Sequence, residues 1–482
     1  MHPIERQLRT GHPILRVITL EEDGAVETVV AAAADALGDA TRVYRWDVAV
    51  GLEPGDLGEA TRTDSPAADL ARVLERVARE PGPLLLVLRD AHRFLDDPTV
   101  SRRLLRLIPA IDESPVRVAL VSPPGDLPPE LEHEIPSVMF TLPSRTVLEM
   151  MVKDELGGEQ IDGVDAEVLA AAVSGLTLRE ARLSLRRARA DGVKGETLLT
   201  RMFEAKAGRV RQRALQFFPP QVTFSDVGGF KALKKWAEVR APALLASRDD
   251  SPRGILLTGI SGCGKSYAIK ALSHAMRVPL FRLDMAVVFA RAQPEAAYAA
   301  AVAAAETVSP CVLWLDEIEN ALALGAQDSG PSARIAGSFL TWLQERPPGV
   351  FVGATANRVE LLPAELLRRG RFDQVWFVDL PDEEERKAVW RVHLRQRKLE
   401  PAHFDLIVLS RSTAGWSGAE IEATIESARS EALVHGKDEP STEDLFRAIG
   451  QTVPLSVTME EQIRRVREWA HRRALLASGK SW

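Results

Sequence analysis

Residues 253–272 read RGILLTGISGCGKSYAIKAL. A short apolar run leads into a glycine-rich turn and then a helical pattern, which is the strand, loop and helix order a phosphate-binding loop requires. The loop comprises Gly259, Ile260, Ser261, Gly262, Cys263, Gly264, Lys265 and Ser266. Its glycines allow successive backbone N–H groups to face phosphate oxygens, and the helix that follows presents its positive end to them. Lys265 is placed to reach the β- and γ-phosphates and the Ser266 hydroxyl to ligate magnesium, so ATP and Mg2+ are the expected cofactors.

Downstream, PCVLWLDEIENAL (310–322) is an apolar strand that ends in two carboxylates. Asp316 is expected in the Mg2+ shell with Ser266, and Glu317 as the group that polarises an attacking water. A third apolar strand, VFVGATAN (350–357), ends on Asn357, whose amide is suited to orienting that water. Then LLPAELLRRGRFD (361–373) sets Arg368 and Arg371 three apart near a helix end.

Over roughly residues 222 to 450 the chain resembles the AAA family of ATPases, through FSDVGG, GISGCGKS, LWLDEIE, ATAN, LLRRGRFD and GWSGAEIE in that order. The resemblance implies that Arg368 and Arg371 are arginine fingers that enter a neighbouring subunit's nucleotide site, and hence a homo-oligomer, usually a ring of six. Such fingers neutralise charge developing on the transferred phosphoryl group, an effect of roughly three to five orders of magnitude in related nucleotide hydrolases. It also implies that Asp226, Val227 and Gly228, together with Gly418 and Ala419, surround the adenine. Finer likeness, in SARIAGSFLTWLQE (332–345), the cysteine inside the loop and PLSVTMEEQIRRVREWAHRRA (454–474), is to the hypothetical chloroplast frame (Ycf) type of AAA ATPase.

The first half reads as a disarmed copy of the second. YRWDVAVGL from Tyr44 matches FRLDMAVVF from Phe281, LPPEL from Leu127 matches LPAEL from Leu362, and SGLTLREARLSLRRA from Ser174 parallels AGWSGAEIEATIESA from Ala414. The near-constant offset predicts tandem α/β P-loop folds, each a parallel sheet flanked by helices with a small helical lid, the N-terminal one degenerate. After its first strand, PILRVIT (13–19), the copy carries LEEDGAVET (20–28) in place of a lysine loop, with Glu21, Glu22 and Asp23 where phosphates would lie. Like charges there would repel nucleotide. Position by position, Arg89 stands for the metal-binding aspartate, Ser122 for the asparagine, and His133 and Pro136 for the fingers. This half is therefore expected not to bind ATP productively.

The domains expected are a degenerate AAA-like domain over 1–215, the ATPase α/β domain over 216–382, a helical lid over 383–450 and a helical tail over 451–482. FFPPQ (217–221) marks the linker into the ATPase module, because prolines resist helix. Between the halves lies an arginine-rich helical stretch (181–216), open to reading as a nucleic-acid groove or as a solvated or subunit-contacting face. In the tail, Ile463, Val466 and Ala470 form one stripe, suited to docking on the protein itself or on a neighbour.

At 482 residues, 27% charged and net charge −7, the chain has the composition of a globular protein, and its mild acidity argues against a nucleic-acid binder. Two cysteines, Cys263 and Cys311, support neither a disulfide framework nor a multi-cysteine zinc site. Without a signal-peptide pattern or a membrane-spanning apolar run, a cytoplasmic location with no membrane insertion is expected.

Two function classes follow. One is ATP-driven remodelling or regulation of an unidentified partner protein or complex; the other is a nucleotide-gated assembly factor that threads nothing. Threading members of the family place an aromatic or bulky residue beside a glycine on the loop facing the pore. The matching positions here are Ala290, Arg291 and Ala292, with Phe289 one place off, so processive unfolding is not expected. DNA-acting members commonly supply an arginine from the lid helix, where this chain has SGAEIEA (417–423).

Overall fold

The computed structural model describes residues 3–53, 65–157, 163–210, 214–320, 331–368 and 370–480. It divides into two compact units, residues 1–144 with 176–180, and residues 145–175 with 181–482.

In the first unit the strands are β1 (Ile14–Ile18), β2 (Arg42–Asp47), β3 (Gly51–Glu53), β4 (Leu84–Leu88), β5 (Val116–Ser122) and β6 (Ser137–Met139). Their order across the sheet is β3-β2-β4-β5-β1-β6, parallel throughout except for the edge strand β3. The continuous apolar run LLLVL suits β4 because a parallel sheet is covered on both faces. Leu84, Leu86 and Leu88 point into one core and Leu85 and Val87 into the other, all of them inaccessible to solvent.

The second unit repeats the plan. Its strands are β7 (Leu215–Phe218), β8 (Gly254–Gly259), β9 (Leu280–Leu283), β10 (Cys311–Leu315), β11 (Val350–Ala356), β12 (Gln374–Val378) and β13 (Leu475–Leu476). They lie in the order β13-β12-β8-β11-β10-β9-β7. With the edge strands β3, β7 and β13 set aside, the two five-strand orders are the same. The linker reading of FFPPQ needs correcting, since Phe217 and Phe218 belong to β7 and pair antiparallel with β9. Four helices, Glu383–Gln396, Leu406–Ser412, Gly418–Val434 and Thr442–Gly450, enclose a separate lid core around Trp390, Leu409, Ile421 and Leu445.

The expected first segment, 1–215, spans the first unit and four helices that follow it, Arg145–Leu156, Ala166–Val173, Leu178–Ala190 and Gly195–Gly208, which mirror the lid in number and order. The likeness extends to their caps. Thr177 and Glu180 exchange side-chain and backbone hydrogen bonds at the start of one helix as Ser417 and Glu420 do in the lid. Such reciprocal capping satisfies N–H groups that a helix start leaves unpaired. On the arginine-rich stretch, Arg186 forks onto Glu155 at 2.8 and 2.7 Å, Arg182 lies 3.2 Å from it, and Arg189 donates to its backbone carbonyl. That helix face is thus paired within the chain; residues 211–213 of the stretch lie outside the described residues.

Strand register tests the copy position by position. Tyr44 pairs with Leu86 as Phe281 pairs with Leu313, so the match read from YRWDVAVGL holds. Asp47 accepts from the amides of Ala49 and Val50, as Asp284 does from Ala286 and Val287. Leu88 pairs with Leu120 and Leu315 with Ala354. Arg89 and Asp90 therefore stand where the second unit has Asp316 and Glu317. The same register puts Pro123, not Ser122, at the position of Asn357. Ser122 instead accepts a hydrogen bond from the buried Arg16 at 2.9 Å.

Candidate functional site

β8 enters the loop through Gly259, whose φ of +135° and proximity to β12 exclude any side chain: a Cβ there would lie 2.0 Å from the Val378 carbonyl oxygen. Only glycine fits so close an approach of backbones. The loop then passes into the helix Lys265–Ala275, and its residues from Ser261 to Ser266 line a cavity of about 580 Å3. That volume suits a nucleotide-sized ligand. Lys265 is buried, and burial lowers its ammonium to about 8. Its Nζ donates to the carbonyls of Gly259 and Ile260 at 2.9 and 2.8 Å, so the charge is held on the loop itself.

Behind the loop, the Ser266 hydroxyl donates to Asp316 Oδ1 at 2.8 Å, and the Thr355 hydroxyl donates to the same oxygen at 2.7 Å. A hydroxyl and a carboxylate in contact below a phosphate-binding loop are the hard oxygen donors that Mg2+ takes alongside phosphate. The residues present therefore fit the ion. Thr355 also accepts from the Glu317 amide at 3.0 Å, fixing the backbone where Glu317 turns to a φ of +49°. The Glu317 carboxylate receives the Asn357 amide on one oxygen and the Asn320 amide on the other, each at 2.9 Å. Arg358 holds Asn320 in turn at 2.7 Å. Glu317 and Asn357 both line the cavity, a carboxylate and an amide aimed together at one region of solvent.

Asp226, Val227 and Gly228 also line the cavity, with Gly418 and Ala419. Gly228 lies so close to the lid helix that a Cβ would come within 2.7 Å of Val389. Ala419 donates its amide to the Gly262 carbonyl at 3.0 Å, which ties lid to loop. Arg368 and Arg371 do not line the cavity. Arg368 is exposed, with Glu365 3.6 Å away, and Arg371 has a buried guanidinium nitrogen that finds no acceptor among the described residues.

Sequence reasoning missed several residues. Thr355 stood inside the quoted ATAN and Asn320 three places after Glu317, so both were within reach of a spacing argument. His393 and Gln396, three apart on the lid helix, line the cavity with no local signal to announce them. Burial pushes the His393 imidazole below its ordinary value, against the nearby Glu422 carboxylate. Leu476, Ala477, Ser478 and Lys480 of the tail also line it. The stripe of Ile463, Val466 and Ala470 is buried in the core of the ATPase sheet, which resolves its two readings in favour of docking on the chain itself. Cys263, raised to about 12 by burial, is held as an unreactive thiol.

In the first unit the corresponding ground is filled from within. Arg89 lies 3.3 Å from Glu22 and 3.1 Å from Asp23, and Glu21 accepts the Leu178 amide at 2.8 Å. The acidic loop is thus spoken for by the arginine that replaced an aspartate.

Residues 255–380 match the family described as ATPase family associated with various cellular activities (AAA), and residues 1–140 match the SpoVK-like AAA ATPase, N-terminal domain. An uncharacterized AAA domain-containing protein ycf46 from Guillardia theta is 34% identical over 96% of this chain and 93% of its own length. Its counterpart from Trieres chinensis is 32% identical over 98% and 97%. A proteasome-activating nucleotidase from Pyrococcus abyssi is 31% identical across 51% of this chain and 65% of its own length. With a P-loop sheet, a loop that fits phosphate and full-length relatives in agreement, the chain belongs to the AAA family of ATPases, as an enzyme that hydrolyses ATP.

Proposed function

We propose that the chain couples ATP hydrolysis to remodelling or regulation of a partner protein or complex, acting as a homo-oligomeric ring, and that each subunit completes its neighbour's active site. The observation that carries this reading is the separation of roles in space. Glu317 and Asn357 line the chain's own cavity, whereas Arg368, the expected finger, stands exposed away from it. An exposed arginine that does not line its own site is suited to serving another.

Bound Mg2+ would neutralise phosphate charge, held through Ser266 and Asp316. Glu317, gripped by Asn357 and Asn320, accepts a proton from the water that attacks the γ-phosphate, and Asn357 orients that water. Lys265 and the loop amides hold the phosphates, while Asp226–Gly228 and Gly418–Ala419 take the adenine. Remodelling without threading is favoured by the pore-side segment. Ala290, Arg291 and Ala292 are exposed but small or charged, and Phe289 packs against the core instead of standing free.

The test mixes two inactive proteins, Glu317→Gln and Arg368→Ala, each of which should retain nucleotide affinity and lose at least an order of magnitude in turnover. A mixed ring contains interfaces that pair an intact Glu317 with an intact Arg368, so ATPase activity should partly return on mixing. No recovery in mixtures shown by light scattering to co-assemble would refute action in trans.

A further inference from the structure

Besides Glu422, which Arg397 holds at 2.8 Å, three carboxylates line the cavity where it meets the lid: Asp379, at the end of β12, and Asp382 and Glu385, at the start of the lid helix Glu383–Gln396. Negative charge in a pocket for a polyanion opposes binding. Each of the three is met by a cation from the C-terminal segment. Arg467 forks onto Asp379 with contacts of 3.0, 3.0 and 2.8 Å. Lys480 pairs with Asp382 and has Glu385 3.9 Å away.

The segment that carries these cations is built into the walls of the pocket. β13 lies parallel to β12, and Ala477 donates to the Phe377 carbonyl at 3.0 Å while its own carbonyl accepts from Ala232 at 3.2 Å. One short stretch is thus fastened to the sheet and to the helix that follows the Asp226–Gly229 wall. Lys480 extends it to the lid. A tail that merely capped the sheet edge would not have to place a lysine on the lid helix.

We infer that the C-terminal segment completes the nucleotide site, with Arg467 and Lys480 acting as positioning residues that neutralise Asp379, Asp382 and Glu385 and tie the lid to the sheet around the bound nucleotide. This rests on the assignment of the cavity to nucleotide. Because the pairs are solvent-exposed, their effect belongs to low ionic strength and fades as salt screens it.

The experiment titrates the full-length protein with a fluorescent N-methylanthraniloyl derivative of ADP at about 0.05 M and about 0.5 M salt. Lys480→Glu should weaken binding about three- to tenfold at low salt and far less at high salt. Lys480→Arg should bind like the parent, and Asp382→Asn added to Lys480→Ala should restore what Lys480→Ala loses, since asparagine still caps the helix. A merely structural role would show neither the salt dependence nor that rescue. Lys265→Ala separates the two ideas. If it abolishes binding while Lys480→Glu binds normally at low salt, or if Asp382→Asn gives no rescue, the tail has no part in the site. If Lys265→Ala binds normally, the cavity assignment itself falls and this inference with it.

Discussion

Lys206 offers the sharpest physical test, because nothing about its function protects it. It is fully buried in the helix Gly195–Gly208, and its Nζ donates to the carbonyls of Ala171 at 3.3 Å and Pro310 at 3.2 Å. Burial lowers its ammonium from 10.5 to about 7. A base whose folded value lies below its unfolded value burdens the folded state at low pH, and the burden fades as pH rises toward the unfolded value. At pH 7 that burden is on the order of 4 kcal/mol, and by pH 10.5 nearly all of it is gone. Lys206→Met keeps the volume and removes the burden, but takes one donor from the Ala171 carbonyl, which keeps the Ser174 amide, and one from the Pro310 carbonyl, at a cost of about 1–3 kcal/mol. The variant should therefore be more stable than the parent at pH 7, by about 1–3 kcal/mol, and less stable by a similar amount at pH 10.5. Paired urea denaturation curves at the two pH values read this directly, and taking variant minus parent cancels the titration of all other groups. A stability difference that does not change with pH would show that the ammonium is neutralised or hydrated in the fold, and the reasoning would fail.

Two further predictions concern groups around the nucleotide site. Thr355→Val, close to isosteric, removes the hydroxyl that serves both Asp316 and the Glu317 amide; steady-state ATPase assays should show turnover down at least about tenfold while nucleotide affinity moves by much less. Cys263 and Cys311 are both raised to about 12 by burial, so a maleimide at pH 8 should label neither in the native protein and both after unfolding. Rapid native labelling, read by mass spectrometry, would contradict the buried loop thiol.

Strands β8, β10 and β11 of the second unit and β1 and β4 of the first were legible because strands covered on both faces must read as apolar runs, as LLLVL and CVLWL do. The edge strands were not. β7 looked like punctuation because two prolines follow it, and β13 is two residues long and takes its identity from β12 alone. Within the site, the loop, Asp316, Glu317 and Asn357 could be found because their chemistry is written in consecutive residues at strand ends. His393, Gln396 and Lys480 could not, since only the folding of lid and tail onto the sheet brings them to the cavity. The misplacing of Ser122 has a simpler cause. Its offset from Asn357 is that of the LPPEL match a few residues on, whereas the strand register places that position one residue further along.

The comparison of halves also bears on how Glu317 should be understood. A residue other than glycine at positive φ beside a reacting group invites the reading that strain there serves catalysis. Asp90 has a φ of +54°, and Glu317 one of +49°. They follow Arg89 and Asp316, which stand at the ends of equivalent strands. Around Asp90 the phosphate loop is gone and Arg89 is occupied with Glu22 and Asp23. Yet the left-handed turn persists, as do the Asp47 cap and the Thr177–Glu180 box. What has changed in the first unit is the set of side chains that would touch a nucleotide; what has stayed is the backbone that shapes the sheet's end. A left-handed residue costs of order 1–3 kcal/mol and survives only where its surroundings require it. Since it survives without the chemistry, it belongs to the fold: the strand must turn there to enter the segment that follows. The ATPase half uses a turn that the architecture already demands, and it places there a carboxylate, held by Asn357 and Asn320, that faces the nucleotide cavity.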